Sequence, residues 1–170
     1  ENWKERKDGY TQLLSLINDN YPIQSIDHSF LLNAQKEKHI ACQNIVLEII
    51  EKMGYTYKEK ISRKIREYSG IVVSLMSQKK NSRLTNLQSA FDSLAFNVTS
   101  NPYELPFSEI LLKMMNNSNL RLREESLQFI IRANEDPNNN IQLNKNSQVY
   151  DQLTKMSSDP SLQIREMATS

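Results

Sequence analysis

Apolar residues recur along this chain at three- and four-residue spacing, broken by short polar runs, a pattern that predicts helices throughout. Asn2 is placed to cap a first helix running to about Ile17, with Tyr10, Leu13, Leu14, Leu16 and Ile17 on one stripe. Asn18-Asp19-Asn20 and Pro22 end it. A short helix follows over about Ser25–Ala34, then a polar turn at Gln35–Lys38. The third helix carries Ile40, Ala41, Ile45, Leu47, Ile49, Ile50 and Met53, and Gly54 is expected as its left-handed C-cap.

The fourth helix is expected over about Tyr57–Met76, charged in its first half and apolar from Ile71 onwards, so that it starts at the surface and ends in the core. Gln78–Asn81 is another polar turn, and a fifth helix spans about Asn81–Val98. Asn101-Pro102 breaks the chain. Helices at about Glu104–Met115 and Leu120–Ala133 flank the turn Asn116–Asn119. Residues 134–146 are polar and expected to be disordered. An eighth helix covers about Gln148–Met156, and a last one starts at Ser161.

The helices pair, and the pairs repeat. Aligning the start of each second helix superposes Ile40, Leu84, Leu122 and Ile164, at intervals of roughly 40 residues. That period belongs to HEAT and armadillo arrays, in which no pair covers its own apolar face and neighbours must stack. The expected fold is therefore all-α, an α-solenoid of HEAT-like helix pairs in a flattened, paddle-like array forming a single domain over residues 1–170. In such an array the turns within each pair share one edge. Here those turns are the stretch at Trp3, Gln35–Lys38, Gln78–Arg83, Asn116–Arg123 and Ser158–Arg165. Lys4, Arg6, Lys36, Lys38, Lys79, Lys80, Arg83, Arg121, Arg123 and Arg165 outnumber the acids Glu5, Glu37 and Asp159 there. A chain of net charge +1 thus carries a basic edge, which suits an acidic partner.

Composition supports helices and narrows the chemistry. Only 3 glycines and 5 prolines leave little for a turn-rich β fold. One cysteine, Cys42, excludes an internal disulfide and reads as a small core residue in a reducing compartment. The apolar runs are too short to span a bilayer, so no membrane partner is expected. His28 and His39 have no acidic or cysteine partner at ligand spacing, so neither a metal nor another cofactor is expected. No glycine-rich phosphate loop, G-x-S-x-G or H-E-x-x-H is present, so the chain does not read as an enzyme. No aromatic residues interleave the basic turns, so nucleic acid is not the expected partner.

The run Asn2-Trp3-Lys4-Glu5-Arg6-Lys7-Asp8-Gly9-Tyr10 resembles the opening of TOG domains, the tubulin-binding HEAT arrays of the ch-TOG microtubule polymerases and of CLASPs. Lys79-Lys80 looks like the lysines of the third turn, Asn119–Glu124 like the fourth turn, and Asp159–Arg165 like the fifth turn with its arginine. The second turn, Gln35-Lys36-Glu37-Lys38, departs from the Lys-Asp-Ser-Asn-like sequence usual in ch-TOG-type domains. The helix that precedes Trp3 in the family and part of the last repeat are absent from the sequence.

The resemblance implies binding of the curved αβ-tubulin heterodimer, at microtubule plus ends and in the cytoplasmic cytoskeleton, including the spindle. Its candidate contact residues are Trp3, Lys4, Lys36, Lys79, Lys80, Asn117, Asn119 and Arg165. Trp3 would rest on β-tubulin, Lys79 and Lys80 would meet acidic surface, and Arg165 would reach α-tubulin. Each residue also has a plainer reading: Trp3 could staple the first helix, Arg165 could bond Asp159, and Asn117 and Asn119 could form and cap a turn. A generic HEAT scaffold for another protein, using a groove rather than the edge, is the alternative function.

Overall fold

The computed structural model describes residues 2–78 and 84–170, and every regular element among them is helical. The chain divides into two compact units, 1–100 and 101–170. Unit 1 holds α1 (Trp3–Asn18), α2 (Phe30–Gln35), α3 (Ile40–Tyr57), α4 (Ile65–Ser77) and α5 (Leu87–Ser93). Unit 2 holds α6 (Phe107–Met115), α7 (Leu120–Glu135), α8 (Gln148–Met156) and α9 (Leu162–Thr169).

Three helices of unit 1 lie in a row, α1 against α3 and α3 against α5, while α2 packs on α4. The middle helix of the row is apolar on most of its surface: Cys42, Val46, Leu47, Ile49, Ile50 and Met53 are all fully buried. A helix apolar all round must be covered on several sides. In unit 2 the hairpin α6–α7 lies on the hairpin α8–α9, first helix on first and second on second. Phe107, Leu111, Phe129, Val149 and Ile164 fill the space between them. The all-helical expectation holds, and helix pairs stack within each unit.

Several boundaries differ from the sequence reading. Gly54 is not a C-cap. It sits inside α3, is buried, and has no positive φ. A Cβ there would lie 2.3 Å from Ser93 Oγ and 3.1 Å from the Ser93 carbonyl oxygen. Glycine is needed for the close approach of α5 to α3, which the Ser93 hydroxyl seals by donating to the Glu51 carbonyl at 2.7 Å. The reversal expected at Gly54 occurs at Lys58, whose φ is 50°. A 3-10 turn over Lys58–Lys64 then separates α3 from α4, so the fourth helix starts eight residues later than periodicity suggests, with Ile61 as the buried residue of the charged stretch.

The fifth helix is α-helical only over Leu87–Ser93 and widens to a π turn over Leu94–Val98, directly after the Ser93 contact. The second helix is split into a 3-10 turn at Ile23–Ser25 and the short α2. Residues 136–147 carry no helix. Their own side chains close successive turns: Asp136 accepts from the Asn138 N–H, Asn139 from Ile141 and Asn144 from Asn146.

The α3–α5 contact gives a stability test. Gly54→Ala raises helix propensity by about 1 kcal/mol but drives a methyl into Ser93. It is expected to destabilise the protein by about 1–3 kcal/mol in a urea titration, as overpacking does. Unchanged or increased stability would show that the approach is looser than described.

Candidate functional site

The candidate residues lie at turns, and the turns share one construction. In the turn leading into α3, the Glu37 carboxylate accepts from the N–H groups of Lys38 and His39, both at 2.9 Å, and the Gln43 side chain returns to the Glu37 carbonyl at 2.9 Å. Leading into α7, Asn117 Oδ1 accepts from Asn119 N–H at 2.9 Å, and Arg123 Nη1 returns to the Asn117 carbonyl at 2.9 Å. Leading into α9, Asp159 Oδ1 accepts from Ser161 N–H at 2.9 Å, and Arg165 Nη1 returns to the Asp159 carbonyl at 2.6 Å. An acceptor side chain opens the turn, the helix starts three residues on, and the sixth residue on ties back to its carbonyl. These partners satisfy donors and acceptors that a helix start and its preceding turn otherwise leave open.

A second arginine reaches across from the neighbouring helix. Arg6 of α1 forks onto Glu37, Nε at 2.8 Å and Nη2 at 3.1 Å. Arg123 of α7 pairs with Asp159, Nη2 donating at 3.3 Å while Nε, 3.0 Å from the other carboxylate oxygen, makes an ion pair without hydrogen-bond geometry. Glu37 is only 5% exposed. Burial pushes its pKa up, but the Arg6 hydrogen bonds, the His39 and Lys38 amides and the Arg6 charge together outweigh that and leave it below the ordinary carboxylate value.

This register corrects the repeat alignment. The counterpart of Leu122 and Ile164, five residues past the turn acceptor, is Cys42 rather than Ile40. Cys42 is fully buried, as Ile164 is, whereas Ile40 is only half-buried. Arg6 and Arg123, edge charges by sequence, and Glu37, an opposing acid by sequence, are partners within the turns. The signal that identifies their role is the six-residue spacing from Glu37 to Gln43, Asn117 to Arg123 and Asp159 to Arg165.

Trp3, the single tryptophan, is half-buried at the first position of α1. Its ring lies flat on His39, 3.9 Å between centroids with an interplanar angle of 8°. Lys4 Nζ stands 5.9 Å from the ring centroid, within cation–π range. Trp3 therefore braces the turn while remaining only half-buried. Lys36 and Lys38 are exposed and, with Arg6, Asn33 and Glu37, line a hollow of about 310 Å³ beside the same turn. Trp3 and Lys4 are thus brought together, and Lys36 lies in the turn whose His39 stacks on Trp3.

The residues of unit 2 are spent differently. Asn117 opens its turn, and Asn119 caps α7 by accepting from Arg121 N–H at 3.0 Å. Arg165 Nη1 donates to the carbonyls of Asp159 and Pro160, the structural role open to this arginine. Lys79 and Lys80 lie outside the described residues. Among the described residues no group of three or more His, Cys, Asp or Glu could hold a metal ion, and no helix is long and apolar enough to cross a membrane.

The Glu37 fork sets a pH dependence. A carboxylate whose folded pKa is depressed adds stability above its unfolded value of about 4.3 and loses it as pH falls through the folded value. Glu37→Gln is expected to cost roughly 1–3 kcal/mol at neutral pH. The gap to wild type should begin to shrink in urea titrations carried below the unfolded value and close below the folded one. A gap that stays constant across that range would mean the Glu37 charge contributes nothing.

Compared with family models, curated proteins and solved structures, the chain has no match.

Proposed function

We propose that this chain is a non-enzymatic tubulin-binding module of the TOG type, which engages the αβ-tubulin heterodimer through the turns at its helix starts and supports microtubule polymerisation or stabilisation. The observation that carries this reading is the Trp3 turn: a half-buried tryptophan stacked flat on His39, with Lys4 Nζ within cation–π range of its ring and the exposed Lys36 and Lys38 in the turn that ends at His39. An aromatic anchor fixed by packing, with cations around it, is the layout of an interface hot spot for an acidic protein surface. Pre-ordering matters, because an indole already stacked loses little freedom on binding.

The finer architecture belongs to this reading as well: a HEAT-like α-solenoid whose turns form one working edge, acting in the cytoplasm at microtubules or the spindle. The module would favour curved free tubulin over the straight lattice, and sister modules would raise the local tubulin concentration.

A second reading, a helical scaffold for another protein, is favoured by a groove of about 660 Å³ in unit 2. Tyr103, Leu105, Leu112 and Val149 line it, with Leu105 76% exposed at its rim.

The two readings separate by experiment. On the first, the chain co-elutes with αβ-tubulin at low ionic strength, and Trp3→Ala weakens binding by about 2 kcal/mol or more. Lys4→Ala and Lys36→Ala weaken it less, by an amount that shrinks as salt is added. Absence of a complex, or binding indifferent to Trp3 but lost on Leu105→Asp, would sink the tubulin-edge reading; melting curves of each variant exclude misfolding as the cause.

A further inference from the structure

We propose that His28 is a proton-operated latch on α2: as the neutral ring it ties the stretch before α2 to α4 through the Tyr68 hydroxyl, and as the charged ring it lets that stretch open. The latch belongs to unit 1 and stands apart from the tubulin reading.

The tie is one bond between two elements. His28 lies two residues before α2, and Tyr68 lies in α4, on which α2 packs. His28 Nδ1 is 3.0 Å from the Tyr68 hydroxyl. The two rings meet edge to face, 6.3 Å between centroids at 85°, and Phe30 stands 6.3 Å from Tyr68 as well. Tyr68 is fully buried, and burial keeps its phenol protonated well above the ordinary range. A buried phenol proton needs an acceptor. The assignment that satisfies both groups puts the imidazole proton on Nε2 and leaves Nδ1 to accept from Tyr68.

Protonating His28 removes that acceptor, because both ring nitrogens then donate. The phenol can turn and accept instead, but its own hydrogen is then stranded in the core, which carries the cost of a buried unmet donor. The surroundings oppose the charge as well. Burial and the Lys64 ammonium hold the half-buried His28 below its ordinary value, and the attraction of Asp27 and Glu67 does not outweigh them. Both acids have other partners: Asp27 accepts from the Ser29 N–H and hydroxyl, and Glu67 lies 3.9 Å from Lys64 Nζ. An imidazole depressed in this way adds stability above its unfolded value of about 6.5 and loses it as pH falls below that.

The stretch is suited to release. α2 has six residues, of which Phe30, Leu31 and Ala34 are buried, while Leu32 is 65% exposed. A helix this short does not persist without its contacts, and such segments open locally before the core does. Just beyond α2 the chain is held by the Arg6 fork on Glu37, a carboxylate that stays charged to below its ordinary value. Mild acid therefore frees the start of α2 while its end stays tied.

The test is hydrogen exchange of the full chain, read by mass spectrometry over residues 26–35 and corrected for intrinsic exchange. It runs from about pH 7.5 to about pH 5, above the range in which Glu37 takes a proton. Wild type is expected to exchange about fivefold faster over this stretch at the lower pH, the worth of one buried hydrogen bond, with α7 unchanged. His28→Asn can accept from Tyr68 but takes no proton, so it should lose the pH step. Lys64→Gln should move the midpoint of the step to higher pH, because it removes a charge that opposes the imidazolium. His39 and Glu37 are the titratable groups beyond the other end of α2; a step that survives His28→Asn would belong to them and overturn the latch. A wild type without a step overturns it too. If His28→Asn exchanges fast at every pH, Lys64→Gln decides: a midpoint that moves up upholds the latch, and one that stays put refutes it.

Discussion

The fold depends on how each long helix is started. A turn between antiparallel helices must redirect the chain within a few residues while leaving no buried amide or carbonyl unmet. Glu37 and Asp159 solve this in the same way. Glu37 takes two backbone N–H groups from its own turn and Asp159 one, and each pairs with a guanidinium from the helix alongside, so one side chain fixes both the local turn and its distance to the neighbour. Gln43 and Arg165 then hold the turn from the other side. Without such ties the apolar faces of α3 and α9 could still collapse, but the rotation of one hairpin on the next would be set by packing alone. Buried ionic groups add specificity of arrangement in some proteins more than they add net stability. A carboxylate as enclosed as Glu37 fits that role.

Once the starts are fixed, side-chain size sets the rest. α3 lies between α1 and α5, and its two neighbours approach through different chemistry. Toward α1 the contact includes Cys42, whose thiol reaches the Trp3 carbonyl at 3.4 Å. Toward α5 it narrows to Gly54 against Ser93. The π turn after Ser93 is where α5 absorbs this closeness, with Asn97 and Thr99 supplying side-chain bonds to Ser93 Oγ and the Ala95 carbonyl. A widened turn beside a helix crossing is a local adjustment, not a break in the core, since Leu94, Ala95 and Val98 stay buried.

Much of this was legible in the sequence, and the failures are instructive. The helices α7, α8 and α9 fall within two residues of where periodicity and capping put them, because Asn119 and Ser147 are N-caps with a clear polar-to-apolar step behind them. Gly54 was misread because a glycine near the end of an apolar run looks alike whether it serves a left-handed cap or a close crossing; only the partner Ser93, about 40 residues away, decides. The Gln35–Lys38 turn aligns two positions out of register because an apolar Ile40 masks a cysteine as the true core residue. The site was legible in part. Trp3 and Lys4 meet, but the sequence cannot show that Arg6, Arg123 and Arg165 are held by turn atoms, because an arginine engaged by turn oxygens and one facing solvent are written with the same letter.

The flat stack of Trp3 on His39 also has a spectroscopic consequence. The chain has one tryptophan, and it lies in unit 1. Intrinsic indole emission therefore reports only on the packing of one turn, and an imidazole in van der Waals contact with the ring makes that emission sensitive to whatever disturbs the turn. Unfolding confined to α6–α9 would leave the signal unchanged. A fluorescence melt and a circular-dichroism melt that do not coincide would therefore be the natural signature of a chain whose two halves come apart separately, and the tryptophan would say which half went first.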